Sequence, residues 1–240
     1  MSIYIRQGII GDISCYIKAR SPIGKYTIEG YYNVDTETFI ARGQKIYLRE
    51  FTRADVDEWV NWPPHVDPLF QDYNPPRLSP LERDIWYIEH ASRSDMMLFA
   101  IADEDGKLIG RLFLRQVDRS KKSAVLGIDL RSDKLDKGYG TDALQTFARY
   151  YFEVLGYKVL RLDVAAFNRR AQRVYEKVGF IYTGEHWSSY PPPYFSEVFS
   201  EDKYENIRGY FRRTGSGISV KHYDMELTRD RWSERQKYEG

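Results

Sequence analysis

The sequence predicts an α/β fold: a central mixed, mostly antiparallel twisted sheet flanked by helices, with a small β-rich extension at residues 1–44. Three features of the chain point there. Between residues 96 and 131 the runs MMLFAIAD, KLIGRLFLRQVD and AVLGIDLR are separated only by a DEDG turn and a basic SKK turn, as consecutive antiparallel strands are. A glycine-bearing loop from Lys137 to Gly140 then opens a helix. Beyond it the β-branched run YKVLRLDVAA leads into the helical pattern NRRAQRVYEKVGF.

Taken in order, residues 1–44 alternate apolar and polar over short runs (IYIRQGII, ISCYIKAR, KYTIEGYY), broken at Gly11, Pro22-Ile23-Gly24 and Gly30, which reads as an antiparallel meander. From Lys45 the main domain begins, extending to residue 230. KIYLREF is a strand, and Thr52 is placed to cap a short amphipathic helix, RADVDEWVNW, ended by Pro63-Pro64. A Pro-rich link from Val66 to Pro76 precedes a second helix with Pro80 at its first position. After the three strands, the helix opened by the glycine loop runs through Val154 and stops at Gly156. NRRAQRVYEKVGF is closed by Gly179, and IYTGEHW is the next strand. Residues 188–217 form a Pro- and aromatic-rich insertion. Ser200, early Glu201 and Asp202, and late Arg212 and Arg213 predict a helix within it. ISVKHYDMELT is the last strand, and residues 231–240 read as a charged tail.

Composition narrows the function classes. The chain has 240 residues, 42% hydrophobic and 30% charged, with a mean hydropathy of −0.59, the balance of a globular domain rather than a disordered chain. Lys and Arg number 36 against 35 Asp and Glu, a net charge of +1 with the signs interspersed. Nucleic-acid binding calls for a basic stripe, so no such partner is expected. No apolar run approaches the roughly 18 residues of a membrane span, and MSIYIRQGIIGDISCYIKAR lacks the charged and apolar regions of a signal peptide. Cys15 is the one cysteine. It forms no internal disulfide or cysteine-based metal site, and no His/Cys/Asp spacing suggests a metal. A cytoplasmic location is therefore expected, with no membrane partner and no metal.

The glycine loop KGYGTDAL gives the backbone room to approach a ligand, and the helix it opens offers free N–H groups and a positive dipole end, suited to a pyrophosphate. A dinucleotide-binding fingerprint is excluded because no glycine stands two residues before Gly138. A P-loop is excluded because no Lys-Ser/Thr pair follows Gly140.

Together with DVAAFNRRAQRVYEKVGFIYTGEHW, the segment resembles the GNAT superfamily of acetyl-CoA-dependent N-acetyltransferases. The spacing of Asn168, Ala171, Tyr175, Gly179 and Phe180 matches that family's N-x-x-A-x-x-x-Y-x-x-x-G-F stretch. IYLREF, FNRRAQRVYEKVGF and DMELTRDRW are most similar to the branch of ribosomal-protein N-terminal and spermidine acetyltransferases. The resemblance covers roughly residues 45–230. It implies acetyl-CoA as co-substrate, with its pyrophosphate on Lys137, Gly138, Tyr139, Gly140 and Thr141 and its pantetheine arm beside Asn168. It places the backbone at Leu130 against the thioester oxygen, and Tyr175 as the catalytic proton donor to the departing thiolate. A phenol, with an ordinary pKa near 10, is suited to stay protonated for that task.

Two departures stand out. Leu135 occupies the place of the family's usual Arg or Gln, with Asp136 following it. Ala124-Val125-Leu126 stands where many relatives carry a Glu. Asp129, the one acid on that strand, is the catalytic candidate for base work, with His186 as a second possibility, and the general base stays open. No acyl-enzyme is required, so Cys15 has no expected role. The implied acceptor is a small-molecule amine or a peptide N-terminus: a protein N-terminus, a polyamine, an amino sugar or an antibiotic-like amine. A homodimer is possible. The rival reading is a non-catalytic acyl-CoA-binding or interaction protein on the same fold. The aromatics of the insertion, from Tyr190 to Phe211, either wall an acceptor pocket or pack the insertion down.

Overall fold

The computed structural model describes residues 39–239; the meander expected within residues 1–44 lies, up to residue 38, outside them. The described strands form one sheet. They are β1 (Ala41–Arg42), β2 (Ile46–Glu50), β3 (Met97–Asp103), β4 (Leu108–Asp118), β5 (Ser123–Leu130), β6 (Val159–Ala165), β7 (Ile181–Tyr190), β8 (Phe211–Thr214) and β9 (Gly217–Thr228). Their spatial order is β1-β2-β3-β4-β5-β6-β9-β7, with β8 hydrogen-bonded to β9. β5 and β6 are the parallel pair, and every other pairing is antiparallel. A parallel pair needs a crossover connection, and α3 (Tyr139–Arg149) supplies it.

The helices begin and end for local reasons. α1 (Arg53–Trp59) starts at Thr52, whose N–H donates to Asp55 Oδ2 at 2.7 Å. α2 (Pro80–Ala91) has Ser79 as its cap, Pro80 at its first position and Glu82 reaching back to the Ser79 N–H at 2.7 Å. α4 (Arg169–Val178) is capped by Asn168, whose Oδ1 accepts from the Ala171 N–H at 3.1 Å, and Gly179 ends it at φ +114°. α3 continues past Arg149 into a wider π turn over Tyr150–Val154.

Three segments differ from the sequence expectation. The Pro-rich link winds into 3-10 turns over Pro68–Tyr73, started by Asp67 accepting from the Leu69 N–H. The helix expected in the insertion is absent. Short 3-10 turns at Ser196–Phe199 and Asp202–Tyr210 precede β8, and Arg212 and Arg213 lie on that strand. There they cover the rings of Trp187 and Phe199 at 3.7 and 4.7 Å, which accounts for two cations in an aromatic segment. The charged tail is α5 (Arg229–Glu239), and Trp232 on it is buried in the core.

Three apolar clusters hold the described residues. The main core joins Leu48, Ile101 and Leu112 of the sheet to Leu144, Phe147 and Tyr151 of the crossover. A second gathers Phe167, Phe195, Val198, Tyr204, Phe211 and Val220 beneath the insertion. The third, with Val56, Trp59 and Trp62, seats α1 on the sheet. Burying each large apolar side chain contributes roughly 1.5–3 kcal/mol. Phe195, Tyr204 and Phe211 thus pack the insertion down, while Tyr190 and Tyr194 face a cleft. No helix among the described residues is long and apolar enough to cross a membrane.

Candidate active site

The cleft originates in the sheet itself. β5 and β6 pair at Ser123↔Val159, Ala124↔Leu160 and Val125↔Arg161, and no further. β6 stays with β9 along its whole length, so the two parallel strands part. In β5 the odd-numbered residues bond β4, as the Arg131 N–H donating to the Ile109 carbonyl at 3.0 Å shows. Leu126, Ile128 and Leu130 therefore turn their N–H and C=O groups toward the gap. That gap opens into a cleft of about 950 Å³ lined by β5 from Leu126 to Leu130 and β6 from Asp163 to Ala165. Gly127 on β5 leaves room for the Phe113 ring of β4, which would lie 2.1 Å from a Cβ there.

The N-terminus of α3 closes one end. Gly138 adopts φ +85° as its cap, a left-handed conformation that favours glycine, and Gly138, Gly140 and Thr141 line the cleft. The first N–H groups of the helix and its dipole make this end attractive to anions. Asp142 in the first turn accepts from the Gln44 and Lys45 N–H groups at 2.9 and 2.6 Å. That contact brings the Lys45 ammonium onto the Lys137 carbonyl at 3.1 Å, beside Gly138. Lys134 and Arg170 line the same mouth. Asp136 turns to solvent, its side chain 73% exposed and its carboxylate 3.6 Å from Arg170, so its charge is offset at the loop.

Asn168 and Tyr175, one at the cap and one on the inner face of α4, reach the cleft from the other side. The Tyr73 phenol lines the same wall beside Asn168, and burial raises its pKa. Burial drives the Tyr175 phenol well above its ordinary pKa, assisted by Asp129 and Asp163 nearby. The phenol therefore stays protonated, as a neutral donor.

Most of the expected residues meet here: Leu130, Gly138, Gly140, Thr141, Asn168, Tyr175 and Asp129 all line the cleft. Two do not. The Lys137 ammonium folds back on the Asp133 carbonyl at 2.8 Å, and Tyr139 packs against the main core. Asp129 lines the cleft but is engaged: its Oδ2 accepts from Arg111 Nε at 2.7 Å and lies 2.6 Å from the second guanidinium nitrogen. Arg111 is itself stacked on Trp59 at 4.0 Å. Asp129 is thus committed to Arg111, which it tethers beneath Trp59. His186 is exposed, bonds Asp224 at 2.9 Å, and does not line the cleft.

The sequence reading passed over Asp72, Tyr73, Asp163 and His222, which share the cleft wall with Tyr190, an insertion aromatic offered as a pocket wall. The missed residues come from a turn and two strands, with no shared spacing to mark them. Burial raises the Asp72 carboxyl above its usual range, with Asp129 adding to it. Asp163 is held low, to about 2, by its hydrogen bond to His222, with Arg115 reinforcing it. Although no spacing suggested a metal, Asp163, His186 and His222 bring potential ligand atoms within 4.8 Å of one another. Arg115 also holds Asp163, and both imidazoles already make hydrogen bonds.

A mixed sheet that opens between two parallel strands, beside the N-terminus of the helix joining them, is the architecture of a GNAT-type acetyltransferase. The acetyltransferase (GNAT) domain matches residues 45–181, and the chain belongs to that family. It is similar to the spermidine N(1)-acetyltransferase of Vibrio cholerae serotype O1, at 24% identity over 122 residues, 51% of this chain and 66% of that enzyme. Among solved structures, the Vibrio cholerae spermidine N-acetyltransferase in complex with CoA and spermine shares the fold with a TM-score of 0.58 at 20% identity, over 78% of this chain and 98% of that one. The Vibrio cholerae spermidine/spermine acetyltransferase in complex with manganese ions gives 0.57 at 19%, over 80% and 96%.

Proposed function

We propose that this GNAT-family protein is an N-acetyltransferase that moves an acetyl group from acetyl-CoA directly to a primary alkyl amine, with a polyamine as the first acceptor class to test. The observation that supports it most is the convergence of the Gly138–Thr141 helix start, Asn168 and Tyr175 on the gap between β5 and β6. Acetyl-CoA supplies an acyl thioester, activated for attack by an amine. The N–H groups of Gly138 to Thr141 hold its pyrophosphate, with the Lys45 ammonium beside Gly138 adding positive charge. The Asn168 amide contacts the pantetheine arm while capping α4. Backbone N–H groups at the open edge of β5, around Leu130, steady the thioester oxygen as negative charge builds there. Tyr175 hands its proton to the departing thiolate.

The acceptor side is nearly neutral. Asp129 and Asp163 are matched by Arg111 and Arg115. Asp72 has no cationic partner among the described residues, and it is the carboxylate left to receive an ammonium group. Relatedness to spermidine acetyltransferases makes spermidine the probe to use first.

The test is release of free CoA from acetyl-CoA, followed over spermidine, short peptides with free N-termini, aminoglycosides and amino sugars. Turnover with one of these amines is the expected result. CoA-dependent thermal stabilisation with no turnover on any of them would instead identify a non-catalytic acyl-CoA-binding protein.

A further inference from the structure

An alkyl ammonium, with a pKa near 10.4, must lose a proton before it attacks a thioester at neutral pH. On β5 the one carboxylate is Asp129, and it is committed to Arg111. Across the gap the sheet carries something different. His222 on β9 is buried, and both of its ring nitrogens are engaged. Nδ1 lies 3.1 Å from Asp163 Oδ2 on β6, and Nε2 lies 3.2 Å from the Tyr190 hydroxyl on β7. The ring also stacks parallel to Tyr190 at 6.3 Å. Asp163 is fixed in turn by the Arg115 guanidinium. All four side chains line the same cleft as Asn168 and Tyr175.

The roles of the two nitrogens follow from their partners. A carboxylate accepts, so Nδ1 carries the hydrogen; Nε2 then holds a lone pair and accepts from the Tyr190 O–H. This is a base in its neutral form, oriented by an acid behind it and reaching the cleft through a phenol. We infer that Tyr190, His222 and Asp163 form the proton-accepting relay for the acceptor amine, with Tyr190 as the group that touches the substrate.

The inference rests on the acetyltransferase reading and names the base that reading lacks. The ammonium gives its proton to the Tyr190 oxygen as Tyr190 passes its own to His222 Nε2. A neutral amine remains, with an imidazolium beside Asp163. The amine nitrogen forms the C–N bond to the acetyl carbon, the C–S bond breaks with its electron pair on sulfur, and the thiolate takes the Tyr175 proton. The second proton lost by nitrogen restores Tyr175 through cleft water. The imidazolium returns its proton through Tyr190 to solvent as the amide leaves. The sum is an ammonium and a thioester converted to an amide, a thiol and one proton.

Burial pushes the Tyr190 phenol well above its ordinary pKa, so Tyr190 passes a proton on rather than ionising. The charged and titratable groups that face His222 come from four elements. Asp163 faces it from β6, and Asp72 from the turn at 68–73, whose carboxyl senses His222. From β7, Tyr190 bonds it and His186 stacks on it at 5.4 Å, itself bonded to Asp224. Arg115 of β4 opposes, one carboxylate removed.

The experiment is the pH dependence of kcat/KM for the amine that turns over, from about pH 6 to about pH 10, in the unmodified protein, Tyr190→Phe and His222→Gln. Tyr190→Phe keeps the ring that packs beneath the insertion. His222→Gln is checked for folding by CoA-dependent thermal stabilisation. Near neutrality both variants lose about 10²-fold in kcat/KM. The loss shrinks as pH approaches the pKa of the free amine, because solution then supplies the deprotonated nucleophile. A purely structural role would lower the profile evenly. If the unmodified protein turns over and both variants run parallel to it at all pH values, the relay is overturned and the acetyltransferase reading stands. If the unmodified protein acetylates no amine, both fall together.

Discussion

At the scale of single residues, charge placement decides what each cleft group does. Tyr175 is a buried phenol held protonated, which suits a donor and not a base. Replacing it by Phe removes the proton and keeps the packing against Phe180, whose ring centroid lies 5.9 Å away. Turnover is expected to fall by roughly 10²–10⁴ with CoA affinity little changed, measurable as steady-state kinetics beside a CoA titration. Asp163 makes a stability prediction of definite sign. Its folded pKa, about 2, lies below its ordinary value, so its ionised form stabilises the fold above about pH 4. That contribution disappears as pH falls from about 4 toward 2. Asp163→Asn is expected to cost roughly 2 kcal/mol at neutral pH and to flatten the acid limb of the stability profile. Denaturant melts at a series of pH values read both effects. An unchanged acid limb would mean that the bonds to His222 and Arg115 contribute nothing net.

At the scale of elements, the site depends on where regular structure gives way. β5 and β6 stop pairing after Val125, and the peptide groups thereby released are the ones turned toward the proposed thioester. The α3 start depends on Gly138 at φ +85°. Gly138→Val forces a β-branched side chain into the left-handed region, at about 1–2 kcal/mol. It also sets that side chain at the mouth where the proposed pyrophosphate contact is made. The expected outcome is a folded protein that CoA no longer stabilises; retention of the full thermal shift would remove the loop from the binding assignment. The turns at 68–73 show the same logic. Proline punctuation marks a break in the chain, yet Asp72 and Tyr73 reach the cleft through that break.

At the scale of the whole molecule, the last helix belongs to the body of the fold. α5 presents Trp232 to the main core and ties itself to the sheet end. Arg229 Nε donates to the Tyr157 carbonyl at 2.9 Å, and Arg231 Nε to the Gly179 carbonyl at 2.8 Å. Trp232→Ala is expected to cost about 3–5 kcal/mol, lowering Tm on the order of 10 °C. A tail merely trailing in solvent would leave the melting curve where it was.

What the sequence determined by itself was everything written in local periodicity or in contiguous motifs. The hairpins from Met97 to Leu130, the cap at Thr52, the helix start at Pro80 and the stop at Gly179 follow from alternation, hydrogen-bonding side chains and backbone freedom within a few residues. The paired motifs around Gly138–Gly140 and Asn168–Tyr175 named the family for the same reason. The tertiary structure decided the rest. Whether Asp129 is free or held depends on Arg111 across the strand pair, at a register that only folding sets. Lys137 sat in the motif yet folds away from the cleft, while Lys45, remote in sequence, arrives through Asp142. The Tyr190–His222–Asp163 chain spans three strands that meet only because β9 inserts between β6 and β7. Proton affinity and charge balance depend on distances of a few ångströms between groups far apart along the chain, and sequence spacing does not encode those distances.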